Sequence, residues 1–342
     1  MKGTVLHILQ GYDPRGIKEM HFYGRITMQN KVTIIGAGAV GATTAFALLT
    51  RGAASKVVLI DVNKDKALSE ALDIQQATPF IDNCDIYAGS YEDAVDSDVV
   101  IIASGFGRKP GQSRRDLVQT NVDIIKQVAP RIVKSAPNAI YIIVANPVDI
   151  LTYAFLKYTG LPKNQVFGTG TVLDTIRLRT RLAEIYNVNK QQVHANVLGE
   201  HGDASFVAWS IATIAGVPLS EYSTSVASVS HTSLEHLREE VETYVRKSGG
   251  RIISGKGCTV YGIGMTSTHI VKALNGSAET ALTVSSLHEG EYGIHDLCLS
   301  SLSLVDRIGV RSIIAQKLSD EELKHLHEAA EALKALIKNV QF

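Results

Sequence analysis

The sequence is poor in cysteine and has no excess of either charge. Three cysteines, Cys84, Cys258 and Cys298, lie far apart in a chain of 342 residues. They form neither a metal-ligand pattern nor a disulfide framework, which fits a reducing cytoplasm. Thirty-four basic residues balance 34 acidic ones, so no net field favours nucleic acid or an anionic membrane. We therefore expect a cytoplasmic protein with no metal, nucleic acid or membrane among its partners.

Long apolar runs are also absent, because no stretch approaches the ~20 residues that a membrane-spanning helix needs. Residues 1–27 precede the first predicted core strand and have no continuous apolar stretch like that of a signal peptide. We expect them to be an N-terminal extension that the fold does not need. The rest of the chain is long enough for two domains.

Five short apolar runs in the first half are continuous rather than alternating, as expected for parallel strands buried on both faces. They are residues 32–35, 57–60, 86–88, 99–103 and 140–144. Helical patterns separate the runs, so right-handed crossovers predict an open, doubly wound parallel α/β sheet. Such a sheet binds its ligand at the carboxyl ends of the strands.

The first run leads into a glycine-rich turn, Gly36-Ala-Gly-Ala-Val-Gly41. Gly36 permits the tight turn, Gly38 lets backbone approach a pyrophosphate, and Gly41 lets the following helix pack on the strand. This helix, predicted over residues 40–50, would aim its N-terminal amides at the phosphates. The pattern predicts a dinucleotide site of the Rossmann type.

Asp61 ends the second apolar run, twenty residues after Gly41. Its carboxylate can accept hydrogen bonds from the adenosine ribose hydroxyls and repels a 2′-phosphate. The sequence therefore predicts NAD rather than NADP as the cofactor.

The pattern of elements changes after residue 170 and predicts a mixed α+β second half. Predicted helices and strands alternate irregularly there: a helix over 174–186, β-rich runs at 193–198 and 206–211, amphipathic helix over 232–247, a helix from about 259, and a strand over 281–285. The last helix opens with Ser319-Asp-Glu-Glu322, a capping box. We expect an NAD-binding Rossmann domain over 28–168 and a substrate domain over 169–342.

A polar island, Gly199-Glu-His-Gly-Asp203, interrupts the β-rich part of the second half. His201, flanked by a glycine, can approach a ligand, and an imidazole suits proton exchange near neutral pH. Asp174 and Arg177 are three residues apart at a helix start and share a face. Asp174 could bond the ring of His201, and Arg177 could hold a carboxylate through two hydrogen bonds.

The loop after the fourth predicted strand contains Arg108, Arg114 and two further cations among glycines and a proline. Closing such a loop over an anionic substrate would expel water and bring an arginine to a carbonyl that becomes negatively charged.

Together these motifs resemble the L-lactate and malate dehydrogenase family from residue 31 to about 342, and most closely its bacterial L-lactate dehydrogenases. The matching pieces are the glycine turn, K-P-G-x-S-R in the loop, N-P-V-D at 146–149, G-T-G-T-V-L-D-T-x-R at 168–177, G-E-H-G-D at 199–203 and K-G-x-T at 256–259. The resemblance implies an NAD-dependent oxidoreductase of fermentative glycolysis, acting on pyruvate and L-lactate, and a homotetramer.

The resemblance also assigns roles to individual residues. His201 would be the acid/base oriented by Asp174, and Arg114 would polarise the carbonyl. The implied substrate-binding residues are Arg177, Arg108, Asn146 and Thr259. The implied cofactor-binding residues are Gly36, Gly38, Val40, Gly41, Asp61, Gly105 and Asn146. Arg179 and His194 match the positions at which bacterial lactate dehydrogenases bind the allosteric effector fructose 1,6-bisphosphate.

Arg108 departs from the lactate dehydrogenase pattern, which has glutamine at this position. Malate dehydrogenases have arginine there, for the second carboxylate of their substrate. Unpaired opposite the methyl group of pyruvate, a desolvated arginine would cost about 2–5 kcal/mol. Glu200 and Thr259 favour the lactate branch. Malate dehydrogenase activity on oxaloacetate stays open as the alternative, beside a non-catalytic NADH sensor and an enzyme for longer 2-hydroxy acids.

Overall fold

A computed structural model describes residues 30–81, 84–107, 114–225 and 234–342 of the chain. Three of the predictions fall outside these residues: the extension over 1–27, Arg108, and the side chain of Arg114, whose backbone begins a helix.

The first half alternates strands with helices. Its strands are β1 (Lys31–Ile35), β2 (Lys56–Ile60), β3 (Asp85–Ala88), β4 (Val99–Ile102), β5 (Ile140–Ile143) and β6 (Val166–Gly168). Its helices are α1 (Ala39–Thr50), α2 (Lys64–Gln75), α3 (Arg114–Ser135) and α4 (Val148–Thr159). The strands pair in parallel in the order β3-β2-β1-β4-β5-β6. This confirms the doubly wound parallel sheet.

The second half is the mixed α+β part that the sequence predicts. Its helices are α5 (Val172–Tyr186), α6 (Leu219–Ser225), α7 (Leu234–Lys256), α8 (Tyr261–Asn275) and α9 (Asp320–Ile337). Its strands are β7 (Val193–His194), β8 (Val197–Gly199), β9 (Ser205–Val207), β10 (Thr213–Ile214), β11 (Val217–Pro218), β12 (Thr280–Glu289), β13 (His295–Asp306) and β14 (Gly309–Ile313). Ser319 and Glu322 form the expected capping box at the start of α9.

One sheet runs through both halves. Strand β12 pairs antiparallel with β6 where Ser285 lies opposite Gly168, and β13, β8 and β9 follow outward. Strands β7, β10 and β11 form a separate small sheet. Most strands of the second half therefore extend the parallel sheet, and only β7, β10 and β11 of the described residues lie outside it.

Helices cover both faces of the parallel strands, because alternate strand residues point to opposite sides. Helices α3, α4 and α9 bury apolar side chains on the face that contains Val100 and Ile102. Helices α1 and α8 do so on the face that contains Val99 and Ile101. In the part of the chain that the structure describes, no helix is long and apolar enough to cross a membrane.

Candidate active site

The glycine turn between β1 and α1 has the geometry that a bound dinucleotide requires. Gly36 has φ +106°, and a Cβ on Gly41 would lie 1.9 Å from the Gly36 carbonyl oxygen, so neither position accepts a side chain. A Cβ on Gly38 would meet nothing within 4 Å. Gly38 precedes α1, and no side chain of the described residues caps this helix end. Its first amides are therefore available to an anion, and the turn fits a pyrophosphate.

Asp61 is fixed at the carboxyl end of β2 by two backbone donors. Its Oδ2 accepts the Ala37 N–H at 2.7 Å, and its Oδ1 accepts the Asn63 N–H at 2.9 Å. The first bond ties the carboxylate directly to the glycine turn, as the predicted ribose contact requires.

A cavity of about 390 Å³ lies at the carboxyl edge of the parallel strands, and both halves of the chain line it. The sequence-predicted residues in its wall are Val40, Gly105, Asn146, Asp174, Arg177, His201 and Thr259. The fold thus brings together residues that are more than 200 positions apart in the chain.

Asp174 joins the two other predicted groups of the second half. Its Oδ2 lies 2.7 Å from His201 Nδ1, and its Oδ1 lies 2.7 Å from Arg177 Nη1. A carboxylate only accepts, so Nδ1 carries the proton and Nε2 is left for a ligand. The side chain of Asp174 is 11% exposed and that of His201 is 28% exposed. The ring is therefore held from behind and open toward the cavity.

The charges of His201, Asp174 and Arg177 shift the pKa values of Asp174 and His201. Burial alone would raise the pKa of Asp174, but His201 and Arg177 hold it below its usual value. Burial would lower the pKa of His201, but the Asp174 charge and hydrogen bond, with Asp149 behind, raise it. The arrangement therefore favours an imidazolium that can give up a proton from Nε2.

Asn146 follows β5 and is held by Asn121 of α3, a residue that the sequence reasoning missed. Asn121 Nδ2 donates to the Asn146 carbonyl oxygen at 2.7 Å and to the Phe106 carbonyl oxygen at 3.0 Å, and its Oδ1 accepts the Phe106 N–H at 2.8 Å. One amide thus fixes the backbone of two cavity residues. One more polar residue within the largely polar stretch 119–123 of a helical pattern gave no signal of this role.

Other residues of the site were also missed. Arg246, Gly249 and Ile253 bring one face of α7 to the cavity. Asp149, at the end of the N-P-V-D motif, is 2% exposed and accepts the backbone N–H of His201 at 2.8 Å through Oδ2. The motif could have drawn attention to Asp149, but its partner is 52 residues away in sequence.

Arg179 and His194 are not in the wall of this cavity. Arg179 Nε donates to the Ala195 carbonyl oxygen at 2.9 Å, and Nη2 donates to Asn196 Oδ1 at 3.0 Å. Arg179 thus lies beside β7, where His194 is exposed. Its direction away from Arg177 follows from their spacing of two on a helix.

Two family models together match most of the chain. One, described as lactate/malate dehydrogenase, NAD binding domain, matches residues 30–168. The other, described as lactate/malate dehydrogenase, alpha/beta C-terminal domain, matches residues 171–341. The chain belongs to the lactate/malate dehydrogenase family. NAD is accordingly its cofactor, as the glycine turn and Asp61 predict.

Several similar members of the family are named L-lactate dehydrogenase. An L-lactate dehydrogenase of Clostridium perfringens is 45% identical over 310 residues, which cover 91% of this chain and 97% of the relative. One of Thermoanaerobacterium saccharolyticum is 43% identical, with 91% and 99% covered. The crystal structure of a minor L-lactate dehydrogenase from Enterococcus mundtii superimposes with a TM-score of 0.87 at 39% identity, with 92% of this chain and 99% of that chain covered.

Proposed function

We propose that this protein is an NAD-dependent L-lactate dehydrogenase that interconverts pyruvate and L-lactate. One observation carries the proposal: Asp174 bonds both His201 and Arg177 in the wall of the cavity at the carboxyl edge of the sheet. A proton donor and a carboxylate-binding cation are thus fixed side by side, which is what a 2-keto acid needs. The names of the relatives support the choice of substrate.

The protein residues position the substrate and move one proton. When bound, NADH supplies the hydride for the keto carbon. His201 gives the proton on Nε2 to the keto oxygen, while Asp174 stabilises the imidazolium and fixes the ring. In the oxidation direction neutral His201 takes that proton back. The geometry therefore supplies proximity and charge around a reaction whose difficult step belongs to the cofactor.

Arg177 binds the substrate carboxylate with the donors that Asp174 leaves open. Its Nη2 lies 4.0 Å from where a Cβ of Gly249 would stand, so α7 leaves space beside the guanidinium. Asn146, Thr259, Gly105 and Val40 also line the cavity. Asn146 and Thr259 would complete the substrate wall, and Gly105 and Val40 would contact the cofactor. Arg114, by resemblance to the family, would polarise the carbonyl.

The first half holds the cofactor. The free amides at the start of α1 bind the pyrophosphate, and Gly36, Gly38 and Gly41 allow its close approach. Asp61 accepts hydrogen bonds from the adenosine ribose and repels a 2′-phosphate. We assign residues 28–168 to this cofactor domain and residues 169–342 to the substrate domain.

The substrate is tested by NADH oxidation with pyruvate, oxaloacetate and 2-ketoisocaproate at equal concentration. Pyruvate should give the highest rate. NADH binding without turnover of any of the three would leave only a dinucleotide sensor, and preference for 2-ketoisocaproate would indicate a dehydrogenase for longer 2-hydroxy acids.

Malate dehydrogenase is the second candidate, because Arg108 stands where malate enzymes bind a second carboxylate. Replacing this cation by the neutral amide in Arg108→Gln removes a partner for oxaloacetate and an unpaired charge opposite the pyruvate methyl group. The ratio of kcat/KM for pyruvate over oxaloacetate should rise about tenfold or more. An unchanged ratio would show that Arg108 does not face the substrate.

We also propose a cytoplasmic homotetramer. Phe46, Leu72, Ile176 and Met265 are exposed apolar side chains on α1, α2, α5 and α8, and α1 contacts both α2 and α8 while α8 contacts α5. Such a surface favours burial against further copies of the chain. Light scattering should give four chain masses; a monomer would contradict the proposal.

Finally, we propose that fructose 1,6-bisphosphate binds at Arg179 and His194. Burial lowers the pKa of His269, and the positive charge of Arg179 lowers it further. Positive charge therefore gathers in this region, which supports an anion site. The effector should shift the pyruvate saturation curve to lower concentration. A curve that does not move would remove the proposal.

A further inference from the structure

Asp149 is a buried carboxyl group that the reaction outlined above does not use. It lies in the first turn of α4, three residues after Asn146, and is 2% exposed. Its Oδ2 accepts the backbone N–H of His201 at 2.8 Å. The segment that brings Asn146 to the cavity therefore also brings a second carboxyl group to the backbone of His201.

The surroundings of Asp149 shift its pKa, and with it the pH at which the carboxyl group ionises. Burial raises its pKa to about 6, and Glu200 adds to this, while the Ser285 hydroxyl on β12 and His201 limit the rise. The charge of Asp149 also adds to burial in raising the pKa of the Cys298 thiol on β13.

The position of Asp149 affects the charge of His201. Burial lowers the pKa of His201, and Arg177 lowers it further. The Asp174 charge and hydrogen bond, followed by the Asp149 charge, act the other way and prevail. Two carboxyl groups on different helices thus act on one imidazole, and only Asp174 bonds the ring.

We propose that Asp149 is a positioning residue for His201, which holds its backbone and supplies a second negative charge that favours the protonated ring. The proposal rests on the proposed function, since protonated His201 is the form that donates the proton when NADH reduces pyruvate. Asp149 then helps to set the pH ranges in which pyruvate reduction and lactate oxidation run.

A charge is not needed merely to accept one backbone N–H. The Oδ1 of an asparagine would also accept the His201 N–H, and its Nδ2 would have Ser285 Oγ as an acceptor. Asp149→Asn therefore keeps the size and the hydrogen bond and removes only the charge. This makes it the variant that separates the electrostatic role from a structural one.

The first test is the pH profile of Asp149→Asn in both directions. The midpoint at which kcat/KM for pyruvate declines should move to lower pH, with a loss of about threefold to tenfold at pH 8. The rate of lactate oxidation at pH 6 should rise, because neutral His201 is then more abundant. Equal losses in both directions with an unmoved midpoint would overturn the proposal. As a control, Tyr153→Phe removes a hydroxyl from the same helix, 3.0 Å from Asp296, and should leave both profiles in place.

The second test needs no substrate. The ring nitrogens of His201, labelled with ¹⁵N in the full chain and assigned with His201→Asn, should titrate at lower pH in Asp149→Asn than in the wild type. An identical titration would overturn the proposal. Because this measurement is made on the protein alone, its failure is distinct from failure of the wild type to turn over pyruvate, which would overturn only the proposed function.

Discussion

At the scale of single residues, Asp174 holds two side chains of the candidate site at once. One carboxylate fixes both the ring of His201 and the guanidinium of Arg177, each at 2.7 Å. Removing it would free two side chains at once and leave both without their counter-charge. The proposed acid/base group and the proposed carboxylate-binding group are thus coupled through a shared partner.

Asp149 gives a prediction about stability. Its pKa is about 6 in the fold and 3.8 ordinarily, so the folded state binds this proton more tightly than the unfolded state. The stabilisation of the folded state by this bound proton is complete below pH 4 and is lost as the pH rises through 6. At pH 7.5 ionisation of this group should cost the folded state about 3 kcal/mol, and Asp149→Asn should raise the free energy of unfolding by about 1–3 kcal/mol.

Urea unfolding at pH 7.5 and pH 4 measures this difference. The gain from Asp149→Asn should be present at pH 7.5 and small at pH 4, where Asp149 of the wild type is protonated. A variant that is less stable than the wild type at pH 7.5 would show that Asp149 serves the fold and not the charge of His201.

At the scale of elements, two helix glycines of opposite environment test the packing. Gly250 lies exposed within α7, and an added Cβ would meet nothing within 4 Å. Gly264 of α8 faces α1, and a Cβ there would lie 2.9 Å from Thr43 Cγ2. Gly250→Ala should raise the Tm, with a gain of about 0.5–1 kcal/mol from the reduced entropy of the unfolded chain, whereas Gly264→Ala should lower it. A gain from both variants would contradict the close approach of α1 and α8.

The elements that sequence reasoning found are those with a strong local signal. Continuous apolar runs gave β1 to β5 to within a residue, and the capping box gave the start of α9. Strand β6, of three residues, was too short to show a pattern. Helix α7 was predicted to end at 247 but continues to Lys256, and since residues 250–256 are exposed, burial does not account for the extension.

The residues of the site also divide into those with a local signal in the sequence and those without one. His201, Asp174 and Arg177 stood out because each lies in a short polar motif beside apolar runs. Asp149 and Asn121 did not, because their partners are distant in sequence: His201 lies 52 residues from Asp149, and Asn146 and Phe106 lie 25 and 15 residues from Asn121. Their roles come only from the meeting of α3, α4 and the loop after β8.

At the scale of the whole molecule, the continuity of the sheet explains why the two halves share a cavity. Strand β12 meets β6 at Ser285 and Gly168, next to the segment that starts α5. A Cβ on Gly170 would lie 2.5 Å from the backbone nitrogen of Ser285, so this junction leaves no room for a larger residue. The cofactor edge and the substrate residues are thereby fixed against one another, and no local pattern could have predicted this joint.

The central claim is that His201 moves the proton while separate residues hold the cofactor. His201→Asn tests it most directly, with pyruvate-dependent NADH oxidation measured beside NADH binding by fluorescence. We expect turnover to fall by about a thousandfold or more while NADH affinity stays within about twofold of the wild type. Retained turnover, or equal loss of turnover and NADH binding, would contradict the account.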